Sequence, residues 1–160
     1  MAAHPETLDI IEMQPSHLTD VLRNETRSYS YPWTAGIFND CLQGVQECWV
    51  ASARGDVVGH AVFTVAAGDA HLLNLCIGRD RQGTGFGRQL MAFITERCRR
   101  LGASDLYLEV RPSNWVANAL YESLGFREIG LRKEYYPAQL GREDARVLAL
   151  ALEMRPKTTD

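Results

Sequence analysis

Three glycines stand at alternate positions in Arg81-Gln82-Gly83-Thr84-Gly85-Phe86-Gly87-Arg88, with an arginine at each end. Glycine tolerates φ > 0 and lets another molecule come close to the main chain. The stretch follows an apolar run, His71 to Ile77, and opens a helical pattern. Its N–H groups are therefore expected at the positive end of a helix, where anions bind. Arg81 and Arg88 add charge of the sign a pyrophosphate needs. Two familiar phosphate motifs are testable directly. A P-loop requires a Gly-Lys-[Ser/Thr] end, and the chain contains no Gly-Lys pair. The dinucleotide fingerprint G-x-G-x-x-G fits Gly83 and Gly85 but puts Arg88 where its last glycine belongs. What remains is Gln82-x-x-Gly85-x-Gly87. The alternative is a plain glycine-rich turn with arginines solvated at its rim.

A second constellation lies downstream. Glu109 falls near the C-terminal end of an alternating run, Asp105 to Val110, where open α/β sheets place their ligands. A carboxylate there can take a proton, or pair with Arg111 or another cation. Tyr121 shares an i, i+4, i+7 row with Asn114 and Asn118, and Val116, Leu120 and Leu124 form the row expected to be buried. A phenol with a pKa of ~10 is protonated at pH 7 and can donate to a developing anion. It can equally pack at a seam between helix and sheet.

These residues need elements to hold them. Leu8 to Met13 reads as a first strand; Ser16 is the expected cap of a helix reaching Arg27, with Leu18, Val21 and Leu22 inward. Thr34 caps a second helix, and two strands flank the Arg54-Gly55-Asp56 turn as a hairpin. His71 to Ile77 reads as a strand buried on both faces. A helix over 84–101 carries the stripe Leu90, Ile94, Cys98 and Leu101, stopped by Gly102. The strand 105–110, a helix over 114–124 and strands over 126–136 and 143–152 complete the chain. The order β-α-α-β-β-β-α-β-α-β-β predicts an α/β (α+β) fold: a mostly antiparallel mixed sheet of six to seven strands with about four helices and one right-handed βαβ crossover.

Composition sets limits. The chain has 160 residues, 46% hydrophobic and 23% charged, so one globular domain is expected over 1–154 with a frayed tail at 155–160. A formal net charge of −3 argues against general affinity for nucleic acid or anionic membrane. Cys41, Cys48, Cys76 and Cys98 show no C-x-x-C spacing, and the four histidines form no ligand pair with them, so no metal is expected. Scattered cysteines suit the reducing cytoplasm. The opening MAAHPETLDI lacks a basic segment followed by an apolar one, and no apolar run reaches the ~18 residues needed to span a bilayer.

The segments LNLCIGRDRQGTGFGRQLM and LYLEVRPSNWVANALYESLGF resemble the Gcn5-related N-acetyltransferase superfamily. Its [RQ]-x-x-G-x-[GA] signature is matched by Gln82, Gly85 and Gly87, and its later motif by Asn114, Ala117, Leu120, Tyr121, Gly125 and Phe126. YPWTAGIF, EYYPAQLGREDARVLALAL and the segment around Glu109 further resemble the branch that acetylates the N-terminal alanine of a small-subunit ribosomal protein, number eighteen. The resemblance implies central strands splayed into a cleft for acetyl-CoA as co-substrate. Gln82, Gly83, Thr84, Gly85, Phe86, Gly87 and Arg88 would hold the pyrophosphate, and the main chain of Leu75, Cys76 and Ile77 would pair with the pantetheine arm, helped by Asn114. It implies Glu109 as the base, Tyr121 as the acid for the thiolate, and direct transfer without an acetyl-cysteine. The sequence departs from the usual pattern at Gly78-Arg79-Asp80, Trp115 and Asn118.

On the acceptor side, Pro32, Trp33, Tyr135 and Tyr136 are candidates to wall a small pocket, or are core aromatics. Glu134, Glu143 and Asp144 are candidates to attract a basic peptide, or sit on a solvated turn. The expected partner is the N-terminus of a ribosomal protein, with a monomeric enzyme and no direct nucleic-acid or membrane contact. Two other readings stay open: a lysine or small-amine acetyltransferase, and a non-catalytic acyl-CoA sensor.

Overall fold

A computed structural model describes residues 6–152. The expected tail at 155–160, and the first five and last two residues of the expected 1–154 domain, lie outside the described residues. Elements follow the expected order: β1 (Asp9–Glu12), α1 (Leu18–Ser28), α2 (Ala35–Gln43), β2 (Glu47–Ala53), β3 (Asp56–Ala66), β4 (Asp69–Ile77), α3 (Phe86–Arg100), β5 (Asp105–Val110), α4 (Trp115–Ser123), β6 (Arg127–Pro137) and β7 (Arg142–Ala151). The seven strands form one sheet in the order β1-β2-β3-β4-β5-β7-β6. β4 and β5, neighbours in that order, are joined through α3, the kind of crossover that parallel neighbours need. The pairs β1–β2, β2–β3, β5–β7 and β6–β7 are antiparallel.

The described chain divides into two compact units, one of residues 6–64 with 72–94, the other of 65–71 with 95–152. In the first, Met13, Val21, Phe38, Cys41, Cys48, Val50 and Val62 form a buried cluster, with Leu18, Leu22, Trp33, Leu42 and Val57 packed against it. Thr34 caps α2 as expected, its side chain accepting from Ile37 N. The first helix begins at Leu18, after a short 3-10 turn over 15–17, and Ser16 does not cap it. Arg54 (φ 50°) and Gly55 (φ 84°) both occupy the left-handed region, which suits the right-handed twist of the β2–β3 hairpin.

The strand buried on both faces is β3, whose residues 58–63 are buried without a break. β4 alternates instead: Ala70, Leu72, Asn74 and Cys76 are buried, while Leu73 is 38% exposed. Leucines at 73 and 75 made both faces read as interior, but a leucine on a half-open face has the same composition as one in a core. α3 likewise starts at Phe86, two residues after the expected 84, because Gly85 (φ 87°) cannot be helical. Its buried stripe includes Met91 and omits Leu101, which is 42% exposed.

In the second unit Leu106, Leu108 and Val110 are buried along β5, with Tyr107 and Glu109 on the other face. Gly102 (φ 89°) ends α3 as anticipated. Cys41, Cys48, Cys76 and Cys98 are free thiols, all buried. Among the described residues no helix is long and apolar enough to cross a membrane.

Candidate active site

The glycine loop is built by the break in the chain between β4 and α3. Arg79–Arg81 make one 3-10 turn, Gln82 is extended, and Gly83 (φ 77°) and Gly85 (φ 87°) take conformations that side chains disfavour. Thr84 Oγ donates to Arg81 O at 2.6 Å, and Gln82 Nε2 donates to Ile77 O at 3.0 Å, tying the loop to the strand it leaves. Residues 82–85 are exposed, while Phe86 is anchored in the core at 2% exposure. Phe86 can therefore offer a ligand only its main chain. Arg81 also faces Asp56 at 3.5 Å. Beside the loop is a cavity of about 340 Å³ lined by Arg27, Ser28, Tyr29, Ser30, Arg79 and Gln82. Two arginines and an exposed helix start suit a polyanion.

Along β4, the carbonyls of Leu75 and Ile77 are met by side chains. Tyr29 OH donates to Leu75 O, and Ser28 Oγ donates to Ile77 O at 3.3 Å. Cys76 O faces β3, where a Cβ on Gly59 would lie 2.6 Å from it, so glycine permits that approach. Gly78 has a similar role: a Cβ there would meet Asn24 Oδ1 at 2.6 Å, and Asn24 bonds Val57 O. Cys76 is 2% exposed, and its thiol is pushed up to about 12 by burial, eased by Ser28 and reinforced by the Glu25 charge. That is the character of a core residue, not a nucleophile.

Beneath β4 lies a buried polar network that the sequence reading did not find. Glu25 of α1 accepts from His60 Nε2 (3.0 Å), from Asn74 Nδ2 (3.2 Å to each oxygen) and from Trp33 N (3.0 Å). Glu25 and His60 are at most 1% exposed. Glu25, His60 and Cys76 also place ligand-type atoms within 4.8 Å of one another. The carboxylate is already committed to three donors, His60, Asn74 and the Trp33 amide. Trp33, expected at the acceptor pocket or in the core, packs tilted on Phe38 at 5.3 Å between ring centroids.

In the other unit, Glu109 projects from β5 and meets two groups. His71 Nε2 lies 2.6 Å from its Oε2, and Arg132 of β6 donates to Oε1 at 3.2 Å. The side chain is 14% exposed. The His71 bond, opposed by partial burial and helped by Arg132, holds this carboxyl below the ordinary carboxylate range. The cation that pairs with Glu109 is thus Arg132, and Arg111, also weighed from the sequence, bonds Glu143 (3.2 Å) and Pro137 O (2.8 Å) and stacks on Tyr136. His71 was missed, although a lone histidine on an apolar run was a visible signal.

Tyr121 is 6% exposed and packs on Phe126 at 5.4 Å. Burial, then nearby Tyr136, pushes its phenol upward, so it stays protonated. Asn114 caps α4 by accepting from Ala117 N at 3.2 Å. The buried row of α4 is Asn118 and Tyr121; Val116, expected inside, is 68% exposed. Asn118 can be buried because its amide donates to Arg111 O (2.9 Å) and Asn114 O (2.7 Å), while its oxygen accepts from Arg146. Trp115, the other departure, is 81% exposed.

The Tyr-Tyr-Pro…Gly-Arg-Glu-Asp-Ala segment shapes β6. The β6–β7 register shifts between Arg132 and Tyr136, with Glu134 at φ 51° inside the bulge. Asp144 Oδ1 accepts from Glu134 N (2.9 Å), and Arg142 donates to Glu134 O (2.7 Å) and Tyr135 O (2.9 Å). These charges hold a bulge; the solvated turn considered from the sequence is not what they form. Arg132 stacks on Tyr135, and Tyr135 meets Tyr136 edge-on at 4.9 Å.

A seven-stranded mixed sheet with a glycine loop between β4 and α3 is a scaffold for acyl transfer. The chain belongs to the acetyltransferase (GNAT) family, whose model matches residues 12–126. It is 34% identical, over 91% of its length and 98% of the relative's, to the [ribosomal protein bS18]-alanine N-acetyltransferase of Escherichia coli K12. It is 37% identical to the enzyme of the same name from Salmonella typhimurium, covering 81% of this chain and 88% of that one. The crystal structure of the ribosomal-protein-S18-alanine N-acetyltransferase from Escherichia coli superposes with a TM-score of 0.86 at 32% identity, covering 96% of this chain and 99% of the other.

Proposed function

We propose that this acetyltransferase moves the acetyl group of acetyl-CoA onto the N-terminal alanine of a small-subunit ribosomal protein, in the cytoplasm. The observation that carries the reading is 34% identity over 98% of a curated alanine N-acetyltransferase. The Arg142 and Asp144 bonds that shape the β6 bulge support it, because they give a structural purpose to the segment most particular to that branch.

In this reading the exposed N–H groups at 82–88 hold the pyrophosphate, and Leu75 to Ile77 line the pantetheine arm. The acceptor must arrive as a free amine. An α-amino group has a pKa of ~7.7–8.0, so roughly a tenth to a fifth is neutral at pH 7 and a modest base suffices. Glu109 supplies the basic end of the site. The amine nitrogen attacks the thioester carbon, the C–S bond breaks, and Tyr121 gives its proton to the departing thiolate.

The test uses peptides beginning Ala-Arg or Ser-Arg, and a blocked alanine peptide with an internal lysine, each incubated with acetyl-CoA and followed by mass. Acetylation of the free alanine supports the proposal. Modification of the internal lysine alone would sink it. Donor binding without turnover on any amine would make the chain an acyl-CoA sensor.

A further inference from the structure

We propose that His71 and Glu109 act as one proton-accepting pair, in which the imidazole takes the acceptor amine's proton and the carboxylate orients it. This rests on the acetyl-transfer reading above. It changes what Glu109 is asked to do.

Both carboxylate oxygens of Glu109 are engaged, one by His71 at 2.6 Å and the other by Arg132 at 3.2 Å. A carboxylate so held is a weak proton acceptor, and its side chain is only 14% exposed, against 40% for His71. The outward member of the pair is the imidazole. In a neutral imidazole one nitrogen donates and the other accepts. A Glu109 carboxylate accepting from Nε2–H fixes the tautomer and leaves Nδ1 with the basic lone pair. Among the described residues Nδ1 has no hydrogen-bond partner. A buried carboxylate behind an imidazole both aims the ring and stabilises the imidazolium once it forms.

The surrounding charges fit. Arg132 and Tyr136 approach Glu109 from β6, Tyr107 shares its face of β5, and Arg111 follows the strand's last residue. Asp69 lies two residues before His71 on β4. Arg111 meets Glu143 at 3.2 Å.

The proton balance is simple. The ammonium gives one proton to His71 Nδ1, and the neutral amine forms the C–N bond as the C–S electrons move to sulfur. The second proton lost from nitrogen replaces the one Tyr121 gives to the thiolate. The imidazolium releases its proton to solvent, leaving amide, free thiol and one proton in water.

The experiment measures kcat/KM against pH for wild type and His71→Gln on the Ala-Arg peptide. Glutamine keeps an N–H toward Glu109 and takes no proton. The variant should lose about a hundredfold in kcat/KM, with acetyl-CoA affinity unchanged. Its acid limb should carry only the amine's ionisation, whereas wild type carries the amine's and the imidazole's. Added imidazole should restore part of the rate of His71→Ala. A His71→Gln rate within about threefold of wild type, ~0.7 kcal/mol, with a superimposable pH profile, overturns the pair.

Wild type that binds donor but leaves the alanine peptide unmodified would defeat the acceptor reading instead. The pair is then judged by NMR of wild type, which also serves if the variants do not fold. The neutral His71 proton should sit on Nε2, and this preference should vanish in Glu109→Ala. A proton on Nδ1, or a spectrum indifferent to Glu109→Ala, overturns it.

Discussion

Glu143 of β7 grips Ser113 twice, one oxygen accepting from its main-chain N at 3.0 Å and the other from its hydroxyl at 2.9 Å. The same carboxylate meets Arg111 at 3.2 Å, so it pins the turn from β5 into α4 from both sides. Burial works to raise this carboxyl, and the two Ser113 bonds with Arg111 outweigh it and hold it low. Glu143→Ala should destabilise the chain by about 1–2 kcal/mol, the range for lost charged hydrogen bonds near a surface, measured by urea unfolding.

Glu109→Gln should lower kcat/KM by about a hundredfold while leaving acetyl-CoA binding intact by calorimetry. It also has a stability signature. The folded carboxyl lies below its unfolded range of ~4.3, so its contribution is complete above that range and is lost as pH falls through the depressed native value. Thermal melts of wild type and variant should therefore differ at neutral pH and converge in acid.

Tyr121→Phe keeps the packing on Phe126 and removes only the hydroxyl. Turnover should drop at least about tenfold, with no change in the melting temperature beyond a degree or so, roughly. Because burial pushes the phenol upward, the wild-type rate should show no alkaline fall that Tyr121→Phe abolishes.

Gly85→Ala places a side chain at φ 87°. A left-handed conformation costs a non-glycine residue about 1–2 kcal/mol, and the loop will relax by turning its amides. Acetyl-CoA should bind about tenfold more weakly or worse, in line with that cost, while the peptide's KM is largely kept.

Glu25→Ala strands His60, Asn74 and the Trp33 amide in the interior. Breaking such a buried pair costs about 3–5 kcal/mol. Denaturant unfolding should show that loss, and Glu25→Gln, which retains acceptor capacity, should show less of it.

Much of this molecule was readable from its residue pattern because local chemistry and burial agree. The Thr34 cap, the Arg54-Gly55 hairpin turn and the Gly102 stop each need one residue type at one place, and each is found there. The glycine loop belongs to the same class. Where the reading failed, a side chain was buried or exposed by partners distant in sequence. Asn118 goes inside because Arg146, 28 residues away, and two carbonyls receive it. Glu25 does so through His60 and Asn74, 35 and 49 residues on. Helical periodicity assigns such residues to solvent, and so it turned α4 the wrong way and left Val116 inside. His71 escaped for the same reason: only the fold sets it 2.6 Å from Glu109.

All four thiols are buried, Cys76 (2% exposed) and Cys98 (0%) most deeply, and burial lifts Cys48 to about 11 and Cys76 to about 12. Thiolate is the form that maleimides and oxidants attack. Cys76 and Cys98 of a native molecule should then ignore such reagents, and each label they acquire records an occasion on which the chain opened. Alkylation kinetics thus become a clock for transient unfolding, wound into the protein without any engineered probe.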